Sequence, residues 1–286
     1  MRKNNNLNEK KYNNKESKIK ICGVSFWRIL GYFIIYSFIG YIIEVLYGLI
    51  TKGVIESRQS FLYGPFCGIY GLGAIFMVLP FKKYPKANNI QLFFGSAIIG
   101  CLVEYFISWF GENCMHIKWW DYSNYFLNIN GRVCLYFGVF WGILGIWLVR
   151  KVNPRVDEII NRLKNRIPSV KRKTVVSLAN LFLLIDCIVT IFALDYYKIR
   201  VVVENNVPVA QFDYYKERYD KIYSDEKKKR FIDACFGNDI MIKTFPNIKV
   251  NDKDGNIVYL NSFYPEIQNY YYKVFDNETN NINDGN

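Results

Sequence analysis

Two glutamates that lie inside long apolar stretches are the residues of this sequence best placed to do chemistry. Glu44 ends the run SFIGYIIE, and Glu104 ends the similar run AIIGCLVE. A carboxylate in hydrocarbon costs on the order of 3 kcal/mol on insertion scales, so such a side chain normally faces protein or a polar cavity. There it can bind a cation, carry a proton or form an ion pair.

The two glutamates are related by an internal repeat. Shifting the sequence by 60 residues places Glu44 on Glu104, and shifting it by 74 places Arg58 on Arg132 and FCGIYG on FWGILG. An acid and an arginine in the same order in both copies are hard to attribute to composition, so we predict a duplicated helical hairpin. Because both copies start on the same side, they would be parallel repeats about an axis along the membrane normal.

The elements that carry these residues are predicted transmembrane helices. A hydrocarbon core of about 30 Å requires roughly 20 largely apolar residues in a helix. Five segments have that length: 27–50, 61–81, 91–111, 133–150 and 174–195. The predicted fold is therefore an all-α polytopic membrane bundle of five transmembrane helices, with the first four arranged as two parallel tandem hairpin repeats.

The positions of Lys and Arg predict the orientation, since cytoplasmic loops retain positive charge. Basic residues are frequent before residue 27, at 82–86 and at 150–173, whereas the other two loops between spans carry few. This pattern predicts a multi-pass protein of the bacterial cytoplasmic membrane with its N-terminus inside. The net charge of +12 then favours anchoring beside anionic lipid over binding to nucleic acid.

The predicted organisation has five parts, in chain order. They are a cytoplasmic basic tail (1–26), a membrane domain of two repeats (27–150, with copies at 27–81 and 91–150), a cytoplasmic amphipathic loop (151–173), the fifth span (174–195) and a polar C-terminal segment (196–286). Within the last part we predict helix around 213–236 and disorder from about residue 276. In the loop, residues 153–167 are predicted to form an amphipathic helix on the inner leaflet or a docking element for a cytoplasmic partner.

A polar site is predicted in the outer half of the membrane. Small and polar residues around each glutamate recur at helical spacing, which indicates stripes that face other helices. The predicted binding residues, which would converge on one vestibule, are Glu44, Arg58, Glu104, Asp121 and Arg132, with Asp186 as a weaker candidate. Structural ion pairs that fasten the hairpins together are the alternative interpretation.

Other kinds of site find less support in the sequence. The seven cysteines lack CxxC spacing and there is one histidine, so no metal site, cofactor or catalytic residue is predicted. Cys114 and Cys235 would both lie outside and could pair. Pro65, within a glycine-rich stretch, predicts a kink in the second span.

The chain resembles the bacterial ABC-transporter permease family called type IV. The resemblance covers roughly residues 30–150, with FPN at 245–247 a faint echo downstream. The segments that carry it are YSFIGYIIE, RQSFLYGPFCGIYGLGA, EYFISWF, WWDYS and NGRVCLYFGVFWG. Gly68 and Tyr41 depart from the residues usual at their positions, proline and tryptophan. The resemblance implies a membrane permease component, and because the chain has no Walker A motif, ATP use would require a separate ATPase subunit.

Three functional classes remain open on this basis. The first is a transport protein whose glutamates bind a cation, a proton or a basic group. Such a protein would lie in the lipid bilayer, and it could form a homo-oligomer or a complex with the separate ATPase subunit. The second is a membrane enzyme or sensor that uses the same site, although no nucleophile and base pair favours an enzyme. The third is a structural or assembly protein.

Overall fold

The computed structural model describes residues 19–274 as a mostly helical chain. The helices are α1 (Phe26–Lys52), α2 (Gly68–Lys83), α3 (Asn89–Phe110), α4 (Leu135–Trp147), α5 (Asn153–Arg166), α6 (Ser169–Glu204), α7 (Phe212–Tyr223), α8 (Glu226–Phe236) and α9 (Asn238–Thr244). Short strands are β1 (Lys20–Ile21), β2 (Val24–Ser25), β3 (Val54–Ile55), β4 (Lys249–Asn251), β5 (Ile257–Tyr259) and β6 (Tyr272–Lys273). Most of the predicted basic tail and all of the predicted disordered end lie outside the described residues.

Four helical stretches among the described residues are long and apolar enough to cross a membrane. They are Phe26–Lys52, Asn89–Met115, Leu135–Arg166 and Ser169–Glu204. The third stretch joins α4 and α5 through a π-helical turn at Leu148–Val152. The predicted fourth span and the predicted amphipathic helix are therefore successive parts of one helix.

The prediction that the second span begins near residue 61, with a kink at Pro65, was wrong. Helix α2 begins only at Gly68 and has 16 residues, which is about 24 Å and shorter than the hydrocarbon core. Gly64 has a φ of +81°, and Pro65 lacks an amide hydrogen, so neither continues a helix. The Ser60 amide instead bonds the Phe66 carbonyl at 2.9 Å and closes a loop. A fifth crossing is not confirmed.

The first of two compact units comprises the described residues up to Ile39, Gly68–Phe106 and Tyr122–Ile185. Its core includes Tyr32, Met77, Trp141 and Val156. Helix α5 contributes Val156 to this core, and its Asp157 carboxylate pairs with Arg28 at 2.9 Å and with Lys82. The predicted amphipathic helix, α5, is therefore attached to α1 and α2 through the face that carries Val156 and Asp157.

The second unit comprises Gly40–Cys67, Ile107–Asp121 and the described residues from Asp186 onward. Its core gathers residues of α6, α8 and α9, among them Leu194, Tyr197 and Met241. The helix predicted around 213–236 is present as α7 and α8, and the break between them is explained by Asp225, whose side chain caps the first turn of α8. Strands β3 and β6 pair, as do β4 and β5. All seven cysteines are free, so Cys114 and Cys235 do not form a disulfide.

Candidate functional site

The polar stripe on α1 faces protein, as predicted. Ser37, Gly40 and Gly48 are buried and Glu44 is half-buried. Large apolar side chains at four-residue spacing occupy the opposite face, where Phe38, Ile42, Leu46 and Ile50 are 42–79% exposed. Because lipid accepts the apolar face and not a carboxylate, this division keeps Glu44 away from hydrocarbon.

Glu44 is paired with Arg58 in the second unit. One guanidinium nitrogen of Arg58 lies 3.3 Å from Glu44 Oε2, and the side chains are 16% and 26% exposed, respectively. The sequence predicted both residues and left open whether they bind a ligand or form a structural ion pair. Arg58 does not belong to a helix, because the segment before α2 is a loop.

Glycine at position 48 makes room for the arginine. A Cβ atom at Gly48 would lie 3.0 Å from Arg58 Nε and 3.2 Å from Nη2. The guanidinium group also lies 5.9 Å from the centre of the Tyr47 ring, within the range of a cation–π contact. Helix α1 therefore accommodates the arginine at three positions: Glu44 pairs with it, the Tyr47 ring lies beside it, and the missing side chain of Gly48 leaves space for it.

A second carboxylate that the sequence reasoning missed completes this group. Glu56 is 3% exposed and lies 2.8 Å from Arg58 Nη2 and 2.9 Å from Lys52 Nζ. Asn247 donates to Glu56 at 3.3 Å and accepts from Lys52 at 2.9 Å. The available signals were the position of Glu56 two residues before Arg58 and the FPN segment that contains Asn247.

Glu104, which the predicted repeat aligns with Glu44, lies in the first unit and is 4% exposed. Its Oε1 accepts from the Tyr122 hydroxyl at 2.9 Å, and its Oε2 accepts from Trp141 Nε1 at 2.9 Å. Gly100 permits this arrangement, since a Cβ there would lie 2.5 Å from the Trp141 ring. The sequence predicted neither of these two contacts.

Arg132 lies before α4 in the same unit. Its guanidinium carbon is 5.3 Å from the centre of the Tyr105 ring, and Nη1 is 3.5 Å from the Tyr105 hydroxyl oxygen. Asn130 donates to that hydroxyl at 2.9 Å. Arg58 and Arg132 therefore each lie over a tyrosine, and that tyrosine belongs to α1, which carries Glu44, or to α3, which carries Glu104.

Asp121 lies in the second unit within a small charged group. Lys118 Nζ is 2.6 Å from Asp121 Oδ2 and 3.7 Å from Glu112 Oε1. The Lys118 backbone also pairs with that of Lys249, the first residue of β4. Asp121 is therefore linked through Lys118 to β4 of the same unit.

Asp186, the weaker candidate, supports the loop that replaces the start of the second span. It is 2% exposed, and both carboxylate oxygens accept from the Tyr63 amide at 3.2 Å. Thr190, one turn further along α6, accepts from the Leu62 amide at 2.7 Å. Backbone amides that are not in a helix need other acceptors where they are shielded from water, and these two side chains supply them.

The structure thus brings Glu44 together with Arg58, and it places Glu104 and Arg132 on neighbouring elements of the other unit. Glu44, Arg58 and Asp121 belong to the second unit, whereas Glu104 and Arg132 belong to the first. A single vestibule formed by all five residues stays a prediction. Chemically, each set offers a carboxylate whose position is fixed by donors, which can bind a cation or exchange a proton.

A family model described as "Putative ABC-transporter type IV" matches residues 31–191, which extend from the first part of α1 through α5 and include most of α6. No curated protein and no solved structure matches the chain.

Proposed function

Since the chain belongs to the type IV ABC-transporter family, we propose that it is the permease component of a membrane transporter and carries polar binding sites within its spans. Four helical stretches capable of crossing a membrane support a membrane protein related to transport. The sequence contains no GKS or GKT phosphate loop, so ATP would be hydrolysed by a separate subunit. In this proposal the chain lies in the bacterial cytoplasmic membrane with its N-terminus inside.

The sharing of Arg58 between two carboxylates is the observation that carries the proposal. Arg58 is closer to Glu56, at 2.8 Å, than to Glu44, at 3.3 Å. Glu56 is 3% exposed whereas Glu44 is 26% exposed. A basic group or cation that reaches Glu44 can therefore replace Arg58 there, while Glu56 continues to balance the arginine. Glu44 would thus be an exchangeable ligand and Glu56 its fixed counterpart.

Glu104 supplies the carboxylate of the second proposed binding site. Tyr122 and Trp141 hold its two oxygens in place, so the carboxylate is oriented before any ligand arrives. Preorganised polar groups bind a ligand more tightly because less ordering is required on binding. We assign Glu104 the same class of ligand as Glu44, a cation, a proton or the basic group of a substrate.

Matching helix contacts support the duplication on which this assignment depends. A Cβ at Gly71 would lie 2.2 Å from Ser37 Oγ, and a Cβ at Gly145 would lie 2.0 Å from Ser96 Oγ. The shift of 74 residues places Gly71 on Gly145. The shift of 60 residues places Ser37 on position 97, one residue after Ser96. In each predicted hairpin, a glycine of the second helix therefore packs against a serine of the first helix, which lets the two helices approach closely.

The permease role is tested by purifying the tagged chain from its own membranes in mild detergent. We expect an ATP-hydrolysing subunit to accompany it, and we expect Glu44→Gln to keep that assembly while changing the rate of ATP hydrolysis in reconstituted vesicles. Glu217→Gln is the matched control, because Glu217 is an exposed residue of α7. A chain that carries no ATPase subunit under these conditions contradicts the proposal.

The structural alternative gives a different result in the same preparation. If Glu44 and Glu104 only fasten helices, Glu44→Gln and Glu104→Gln should lower protein abundance and thermal stability, and any folded protein should keep its full activity. A stable but inactive variant supports the binding site.

A further inference from the structure

An open groove of about 620 Å³ lies in the first unit where α2 ends and α3 begins. Its lining combines apolar surface from Phe81, Tyr84 and Ala87 with the basic side chains of Lys83 and Lys86. Both lysines are exposed. The groove therefore offers positive charge beside an apolar floor.

The charge in this groove is not balanced by nearby acids. Within residues 19–274, neither Lys83 nor Lys86 has a carboxylate oxygen within 4 Å of its Nζ atom, and Lys83 instead lies 5.9 Å from the centre of the Tyr84 ring. Arg150 adds a third cation, since its guanidinium group donates to the Ala87 carbonyl. An anionic group that enters the groove would therefore be close to several cations and to no paired carboxylate among the described residues.

An apolar track on α3 starts next to the groove. Ile90, Phe94, Ile98, Leu102 and Phe106 recur every four residues and are 60–67% exposed. Ile90 directly precedes Gln91, which lines the groove. From Ile90 to Phe106 the track is about 24 Å long, which is most of the hydrocarbon thickness of about 30 Å. One acyl chain of a phospholipid, which extends through about half of that thickness, therefore fits along the track.

We propose that this groove is a binding site for an anionic phospholipid. The phosphate would lie between Lys83 and Lys86, the glycerol region over the apolar floor, and one acyl chain along the track on α3. A ligand of this shape uses both features, because a free phosphate leaves the track uncovered and a neutral lipid leaves the lysines unpaired. The proposal does not depend on the permease role, since it rests on residues outside the Glu44 and Glu104 groups.

Native mass spectrometry of the detergent-purified full chain tests the proposal, with phosphatidylglycerol and phosphatidylcholine of equal chain length as probes. We expect the chain to retain phosphatidylglycerol in preference. A basic residue near an anionic lipid contributes roughly a fivefold factor in affinity, so Lys83→Gln/Lys86→Gln should reduce that preference by about tenfold or more. The matched control is Lys227→Gln/Lys229→Gln, which removes the same charge from α8 and should leave the preference unchanged.

A second variant tests the groove with its charge intact. Ala87→Trp fills the floor of the groove without removing a lysine, so it should lower the retention of phosphatidylglycerol. In a separate competition experiment on the wild-type chain, glycerol phosphate, which lacks acyl chains, should not displace phosphatidylglycerol at equal concentration. Equal retention of the two lipids by the wild-type chain overturns the proposal. So does unchanged retention by Lys83→Gln/Lys86→Gln, and so does effective competition by glycerol phosphate.

Discussion

Trp141 Nε1 donates a 2.9 Å hydrogen bond to Glu104 Oε2, and the tryptophan ring fits there because residue 100 is glycine. Replacing Trp141 by phenylalanine removes the donor and leaves one oxygen of a buried carboxylate with one partner fewer. The expected cost is about 1–3 kcal/mol, seen as a lower melting temperature. A thiol-reactive dye can report unfolding, because Cys67 and Cys134 are buried.

Trp147→Phe is the control for that substitution. Trp147 is 46% exposed and lies on the same helix, so the same change of side chain should shift the melting temperature little. Equal shifts in the two variants would show that the Glu104 contact has no special weight.

The close approach of α3 and α4 predicts a rescue experiment. Gly145→Ala would place a Cβ 2.1 Å from Ser96 Cβ as well as 2.0 Å from its Oγ, so the variant must separate the helices and lose stability. Removing the whole side chain with Ser96→Gly should restore much of the melting temperature, whereas Ser96→Ala should not, since it keeps the Cβ. A double variant Ser96→Gly/Gly145→Ala no more stable than Gly145→Ala would contradict the predicted packing.

Asp186 is predicted to act as a hydrogen-bond acceptor for the loop before α2. Asp186→Asn keeps an acceptor oxygen for the Tyr63 amide, so its melting temperature should stay close to that of the wild type. Asp186→Leu leaves the amide without that acceptor, and the loss of a partner by a buried donor costs about 1–3 kcal/mol. The measurement is the thermal unfolding of both variants in detergent. If Asn destabilises as much as Leu, the negative charge itself is required, and the account of Asp186 is wrong.

Neutralising Asp157 should release α5 from the first unit. This carboxylate faces Arg28 and Lys82 with all three side chains less than a quarter exposed, so Asp157→Asn leaves two cations without their acid. We expect faster trypsin cleavage at Arg162 and Lys164. Glu158→Gln is the matched control one residue away, because Glu158 pairs only at the surface, with side chains 61–69% exposed, and such pairs contribute little. Equal cleavage of the two variants would argue against docking through Asp157.

Much of the helical framework was predictable because lipid imposes a simple requirement on sequence. The lengths of the apolar runs identified α1, α3, α4 and α6, and the spacing of small residues identified the buried face around Glu44. The start of the second span was not predictable in this way. Hydropathy registers Phe61 and Leu62 only as apolar residues that extend the run of α2. Backbone amides of this segment instead bond to Asp186 and Thr190, more than 120 residues away, and stabilise a loop.

The candidate site divides in the same manner. The repeat singled out Glu44, Glu104, Arg58 and Arg132 because like residues recur in order, and no contact had to be known. Glu56, Lys52 and Asn247 have no counterpart in the repeat, and Asn247 approaches Glu56 only after the chain folds back over 191 residues. A pairing of that kind is determined by the packing of the C-terminal segment, which a single sequence does not reveal.

The most direct test of the central claim is the rate of ATP hydrolysis in vesicles reconstituted with the proposed complex of this chain and an ATPase subunit. The rate is measured for the wild-type chain and for Glu44→Gln after the two are shown to have equal melting temperatures. Gln keeps the size of the side chain and a hydrogen-bond acceptor for Arg58 but removes the negative charge that a cation or basic group would bind. The account predicts a complex that is folded and assembled but hydrolyses ATP at a markedly changed rate. An unchanged rate would show that Glu44 serves only to hold Arg58.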